Sequence, residues 1–107
     1  MTINEYQKLA MTRLNKEIPQ DQLIINAAMG LSGETGEVND LLKKHLFQRH
    51  ELNKDELINE LGDIAWYLAE AATALDVDLE DILTKNIQKL KERYPEGFEK
   101  DKSIHRK

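Results

Sequence analysis

The feature that most constrains this sequence is its hydrophobic period. Apolar residues recur every three to four positions in four separate stretches, and alternation with a period of two is sustained in none. The pattern predicts helices and offers no candidate strand. The first stretch opens with Thr2-Ile3-Asn4-Glu5, the spacing of a capping box, and carries Ile3, Tyr6, Ala10 and Leu14 on one face. Pro19 and its polar neighbours end it. The second starts near Asp21 and runs through Ile24, Ala27, Leu31, Val38, Leu41 and Leu42. After a link from Gln48 to Asn53, a cap at Asn53 introduces a third helix through Leu57, Leu61, Ile64, Leu68 and Leu75. Asp78 is expected to cap a fourth, which carries Leu79, Ile82, Leu83, Ile87, Leu90 and Tyr94 and stops at Pro95. The expected fold is all-α, a compact bundle of four main helices.

A chain of 107 residues has room for one domain and one modest core. The expected domain spans 1–107, with a polar C-terminal tail from about residue 95. The absence of cysteine excludes disulfides and thiolate metal sites. No apolar run approaches the roughly 18 residues that span a membrane, and the N-terminus lacks a signal-peptide core. A cytoplasmic protein with no membrane partner is expected. The formal net charge of −5 argues against nucleic acid as a partner, because counterion release needs a basic surface. Nucleotides remain open, since a metal ion can supply the positive charge that phosphates require.

Two helices carry acids where a core border should be. On a wheel with Glu34 at zero, Ala27, Val38, Leu31, Ile24 and Leu42 fall at roughly 20° to 80°. Glu34 lies at the edge of that stripe and Glu37 about 60° to its other side, with Leu41 between them. Gly33 and Gly36 flank the pair, although a helix-interior glycine costs about 1 kcal/mol relative to alanine. Small residues there suit the close approach of another backbone or a ligand. The third helix repeats the arrangement: Glu60, Asp63 and Tyr67 share one border of its stripe, and Gly62 separates the acids. Each pair has i, i+3 spacing and so occupies one helix face.

Facing each other, four carboxylates would repel and resist desolvation. A hard dication removes that conflict, and an all-oxygen set suits Mg²⁺ or Mn²⁺ better than Zn²⁺. The competing reading is four solvated surface acids in a chain with 20 Asp and Glu residues, where chance E-x-x-E spacings are common. Two pairs, both on core borders and both beside glycine, favour the metal site.

The fourth helix offers complementary groups. With Leu79 at zero, Asn86 falls at about 340°, inside the apolar stripe, and Lys89 and Arg93 follow the same border. Asn86 either satisfies a neighbouring backbone group or orients a metal or phosphate. Lys89 and Arg93 are either solvated or phosphate-binding. Trp66 lies opposite the main stripe of its helix, which suggests core or subunit burial ahead of stacking on a nucleobase. The histidines His45, His50 and His105 are expected at the surface, and the Glu-x-x-His pairs of a di-iron bundle are missing.

These segments resemble the MazG-type nucleoside triphosphate pyrophosphohydrolases, an all-α group that includes dimeric dUTPases and phosphoribosyl-ATP pyrophosphatases. The resemblance is carried by Gly30-Leu-Ser-Gly-Glu34-Thr-Gly-Glu37-Val38, by Glu60-Leu-Gly-Asp63-Ile-Ala-Trp-Tyr67, and by Asn86-Ile-Gln-Lys89-Leu-Lys-Glu-Arg93-Tyr-Pro95. It implies that Glu34, Glu37, Glu60 and Asp63 are magnesium ligands and that Asn86 and Lys89 lie on the phosphate side, with Tyr67 and Arg93 assisting. The implied reaction is Mg²⁺-dependent hydrolysis of an NTP or dNTP to the monophosphate and pyrophosphate. Glu37 or Glu34 is then the expected general base. A homodimer or homotetramer is expected. Many relatives have an additional acid where this chain has Gly33, a departure that bears on metal count. The alternative is a non-catalytic helical module that binds nucleotides or regulates a partner.

Overall fold

The fold is a set of four helices in a computed structural model that describes residues 1–97. The helices are α1 (Ile3–Met11), α2 (Leu23–Phe47), α3 (Lys54–Ala74) and α4 (Leu79–Arg93), with one 3₁₀ turn at Gln20–Gln22 ahead of α2. Among the described residues there is no strand. None of these helices is long and apolar enough to cross a membrane.

Local chemistry explains the helix starts. Thr2 and Glu5 form the expected capping box: each side chain accepts from the other's backbone N–H, at 3.1 and 3.0 Å. Asn53 likewise accepts from the Glu56 N–H at 3.1 Å. The first helix is shorter than its hydrophobic pattern, because Thr12 caps it and Leu14 lies beyond its end. The start of α4 corrects a second expectation. Asp78 occupies the N-cap position but its side chain makes no cap bond. Gln7, far away in sequence on α1, does this instead. Its Oε1 accepts from the Leu79 N–H at 2.7 Å, while its Nε2 donates to Thr73 Oγ1 and the Val77 carbonyl. One side chain thereby ties α1 to the end of α3 and the start of α4.

α3 ends in a Schellman turn: the Val77 N–H reaches the Ala72 carbonyl and the Asp76 N–H the Thr73 carbonyl. Asp76 is accordingly left-handed, with φ 57°. Arg49, just past the end of α2, has φ 59°.

The core forms where α1 meets α3. Ala10, Ala69, Ala72 and Leu79 are buried together, with Tyr6, Met11, Trp66 and Ile82 packed around them. Trp66 is therefore a core residue of the chain itself, and its Nε1–H donates to the Ala10 carbonyl at 2.9 Å. This corrects the weighting of the α3 faces. The large leucines, Leu61, Leu68 and Leu75, mark the expected core stripe, yet Leu61 is 55% and Leu75 59% exposed. α1 covers the small-residue side instead, where alanines allow backbones to approach. On α4, Leu83, Ile87 and Leu90 are also exposed, and Asn86, placed by the wheel inside that stripe, is exposed with them.

Candidate metal centre

The helices α2 and α3 run antiparallel, since Asn26, Gly30 and Glu34 meet Glu70, Tyr67 and the Glu60–Asp63 pair in turn. Leu31, Val38 and Leu41 on one side, and Leu57 and Ile64 on the other, are half-buried along this helix pair. Carboxylate oxygens of Glu34, Glu60 and Asp63 all lie within 4.8 Å of one another. Glu34 and Glu60 are half-buried and Asp63 is exposed, so the group opens to solvent on one side.

Electrostatics sharpen the picture. A hydrogen bond with Glu34, then loss of solvent, then the charges of Glu34 and Asp63, push the Glu60 carboxyl above its ordinary value. A shared proton is one way to relieve such a cluster; a hard cation with oxygen ligands is the other. The donor set fits Mg²⁺ or Mn²⁺: three converging carboxylates, no sulfur and no imidazole, with Asp63 exposed to solvent.

Glu37 does not belong to this close group. It is exposed, and its charge helps hold Lys44 protonated. The main partner of Lys44 is Asp40, which it meets at 2.9 Å while Lys43 meets the other oxygen at 3.2 Å. Tyr67 lies one turn beyond Asp63, half-buried, its ring edge-on to Trp66 and pressed against Gly30. At Gly30 a Cβ would collide with the Tyr67 ring. A Cβ at Gly33, Gly36 or Gly62 would meet no described atom within 4 Å. Asn86 and Lys89 lie exposed on α4 and their side chains make no hydrogen bond or ion pair among the described residues, whereas Arg93 is half-buried and partnered.

Two features escape the sequence pattern. Tyr6, read only as an apolar position of α1, has its hydroxyl pushed up by burial and then by the charge of Asp63, so α1 reaches the acid cluster. Glu70 is fully buried at 0% exposure and accepts from Asn26 Nδ2 with both oxygens, at 3.0 and 2.9 Å. Its only sequence signal is an acid among alanines in Ala69-Glu70-Ala71-Ala72.

The described residues thus form a small all-α protein with an open cluster of acids on an antiparallel helix pair. The MazG nucleotide pyrophosphohydrolase domain matches residues 24–98, and the chain belongs to that family. It is also similar to the Gene 37 protein of Mycobacterium phage L5, 41% identical over 73 residues. That match spans 64% of this chain and 64% of the phage protein, so somewhat under two thirds of the relative's length is covered. No solved structure matches.

Proposed function

We propose that this protein hydrolyses a nucleoside triphosphate between its α and β phosphates, releasing a monophosphate and pyrophosphate, with Mg²⁺ as cofactor and Mn²⁺ as a substitute. The observation that carries the reading is the convergence of Glu34, Glu60 and Asp63 within 4.8 Å in a chain of this family. Those three carboxylates would hold the metal. Bound there, it supplies charge neutralisation at phosphate oxygens and lowers the pKa of an attacking water.

The remaining roles fall to the chain's own groups. Glu37, one turn from Glu34 and outside the close trio, is the carboxylate left to accept the water's proton. Tyr67 borders the site between the acids and the Asn26–Glu70 pair. Asn86, Lys89 and Arg93 are assigned to the phosphate side, where the two cations offset charge on the leaving pyrophosphate. A second copy of the chain completes the proposal. The uncovered rows Leu61–Leu68–Leu75 on α3 and Leu83–Ile87–Leu90 on α4 are the surface a homodimer or homotetramer would bury.

The test is pyrophosphate release with Mg²⁺ across canonical and modified NTPs and dNTPs. Glu60→Ala and Asp63→Ala are each expected to abolish turnover while retaining the helical circular dichroism of the wild type. Near-wild-type release from both variants overturns the assignment. Binding without turnover across the whole panel favours a non-catalytic nucleotide-binding module.

A further inference from the structure

We infer that the α1–α2 end of this helix pair selects a base that carries an amino group in place of a carbonyl at the pyrimidine 4- or purine 6-position, cytosine or adenine, through the side-chain oxygen of Asn26. The inference rests on the pyrophosphohydrolase reading above and adds the substrate class.

The argument begins with Glu70. It is fully buried, and both of its oxygens are turned to Asn26 Nδ2. Both contacts run from Asn26 Nδ2, so the Asn26 amide presents its NH₂ group to α3 and its Oδ1 is directed away from Glu70. Among the described residues that oxygen accepts no hydrogen bond, and it is not sealed from solvent. It is an acceptor held ready.

Asn26 lines a cleft of about 490 Å³ together with the apolar Ile18, Pro19, Ile25 and Met29 and the polar Asn15, Glu17 and Gln22. That volume falls in the range of small-molecule sites, and apolar walls with few convergent polar groups are their usual composition. Flat apolar contact suits the faces of a base, while Asn26 Oδ1 is the acceptor placed to read its edge. The spacing along the helix axis also fits. Asn26 precedes Glu34 by eight residues, about 12 Å along the α2 axis, and Glu70 follows Asp63 by seven, about 10 Å along α3. This is the order of the reach from the α-phosphate to the far edge of the base in an extended nucleotide. Tyr67 and Gly30 lie between the two ends.

A fixed acceptor discriminates by what faces it. The N4 amino group of cytosine and the N6 amino group of adenine donate to it. The O4 of uracil and the O6 of hypoxanthine would set acceptor against acceptor and leave both unsatisfied. The ring N3–H of uracil is a donor too, but O2 and O4 flank it, so a contact there brings another acceptor close.

The test uses nucleotide pairs that differ at that position: CTP against UTP, and ATP against ITP, each with its deoxy counterpart. The wild type is expected to favour the amino member in kcat/KM by at least about tenfold, since a site built around a hydrogen bond rejects the analogue that cannot make it. Asn26→Ala should bring each pair to within about threefold. Calorimetric binding of CMP and UMP to the wild type tests the same selection without turnover and without any variant that must fold. Pyrophosphate release with no amino preference, or with a preference unchanged in a folded Asn26→Ala, overturns this inference and leaves the proposed reaction standing. Selective CMP binding without pyrophosphate release overturns the reaction and leaves the inference standing. Equal binding of CMP and UMP overturns the inference.

Discussion

The ring of Tyr67, on α3, lies against the backbone of Gly30, on α2, in the space a methyl group at position 30 would fill. The two helices approach at this point, one turn from the Glu34, Glu60 and Asp63 cluster. Gly30→Ala is expected to lower stability by roughly 1–3 kcal/mol through overpacking, because an aromatic ring clamped beside Trp66 has little freedom to retreat. Chemical denaturation measures this directly. Gly33→Ala and Gly36→Ala meet no described atom within 4 Å and should raise stability by up to about 1 kcal/mol each, the helix-propensity gain. A loss at position 33 that deepens with protein concentration would show that a second copy occupies that space.

The raised Glu60 carboxyl sets a pH dependence whose sign can be worked out. The unfolded chain titrates near the ordinary value of 4.5, and the folded chain holds the proton to higher pH. Between those two values the folded state binds more protons, so stability falls as pH rises through the window. Metal-free wild type should therefore lose melting temperature relative to Glu60→Gln as pH is raised from about 4.5, and Mg²⁺ should remove the difference. A difference that grows in the opposite direction would contradict the raised Glu60 carboxyl.

Gln7 offers a test of tertiary capping. Gln7→Ala leaves the Leu79 N–H without its acceptor and removes two further hydrogen bonds, a loss of about 1–3 kcal/mol. Asp78→Ala, at the nominal cap, should stay within about 0.5 kcal/mol. Amide exchange in the first turn of α4 should quicken in the first variant and remain unchanged in the second.

Asp76 is a site for stabilisation. It holds the left-handed position of the turn that ends α3, where glycine carries no Cβ penalty. Asp76→Gly is expected to add roughly 0.5–1 kcal/mol, read from the denaturant midpoint. A loss would mean that the aspartate makes a favourable contact beyond its backbone.

Much of this was legible in the sequence because it is local. The caps at Thr2 and Asn53 depend on three-residue spacing, and the i, i+3 carboxylates depend on helix pitch, so both can be read along one segment. What the pattern missed depends on residues distant in sequence. Gln7 displaces Asp78 as the cap of α4 because α1 packs over the α3–α4 junction. The buried side of α3 proved to be Ala69 and Ala72 rather than the leucines, because what covers a helix is decided by its neighbour and not by its own hydrophobicity. Glu70 looked like any acid until Asn26 was found against it. Glu37 shares the spacing of Glu34 but stands outside the trio, since one helix face is wide enough to hold a residue that the opposite helix does not meet.

Asn26–Glu70, Gly30–Tyr67 and Glu34–Glu60–Asp63 succeed one another at intervals of about a helical turn. Their spacing comes from backbone pitch, with no loop available to absorb an error. A single residue inserted between Asn26 and Glu34 would rotate one end against the other by about 100°, breaking the amide pair or dispersing the acids. Homologues should therefore vary in length at the Gln48–Asn53 link and before Pro19, while this eight-residue interval changes by substitution alone.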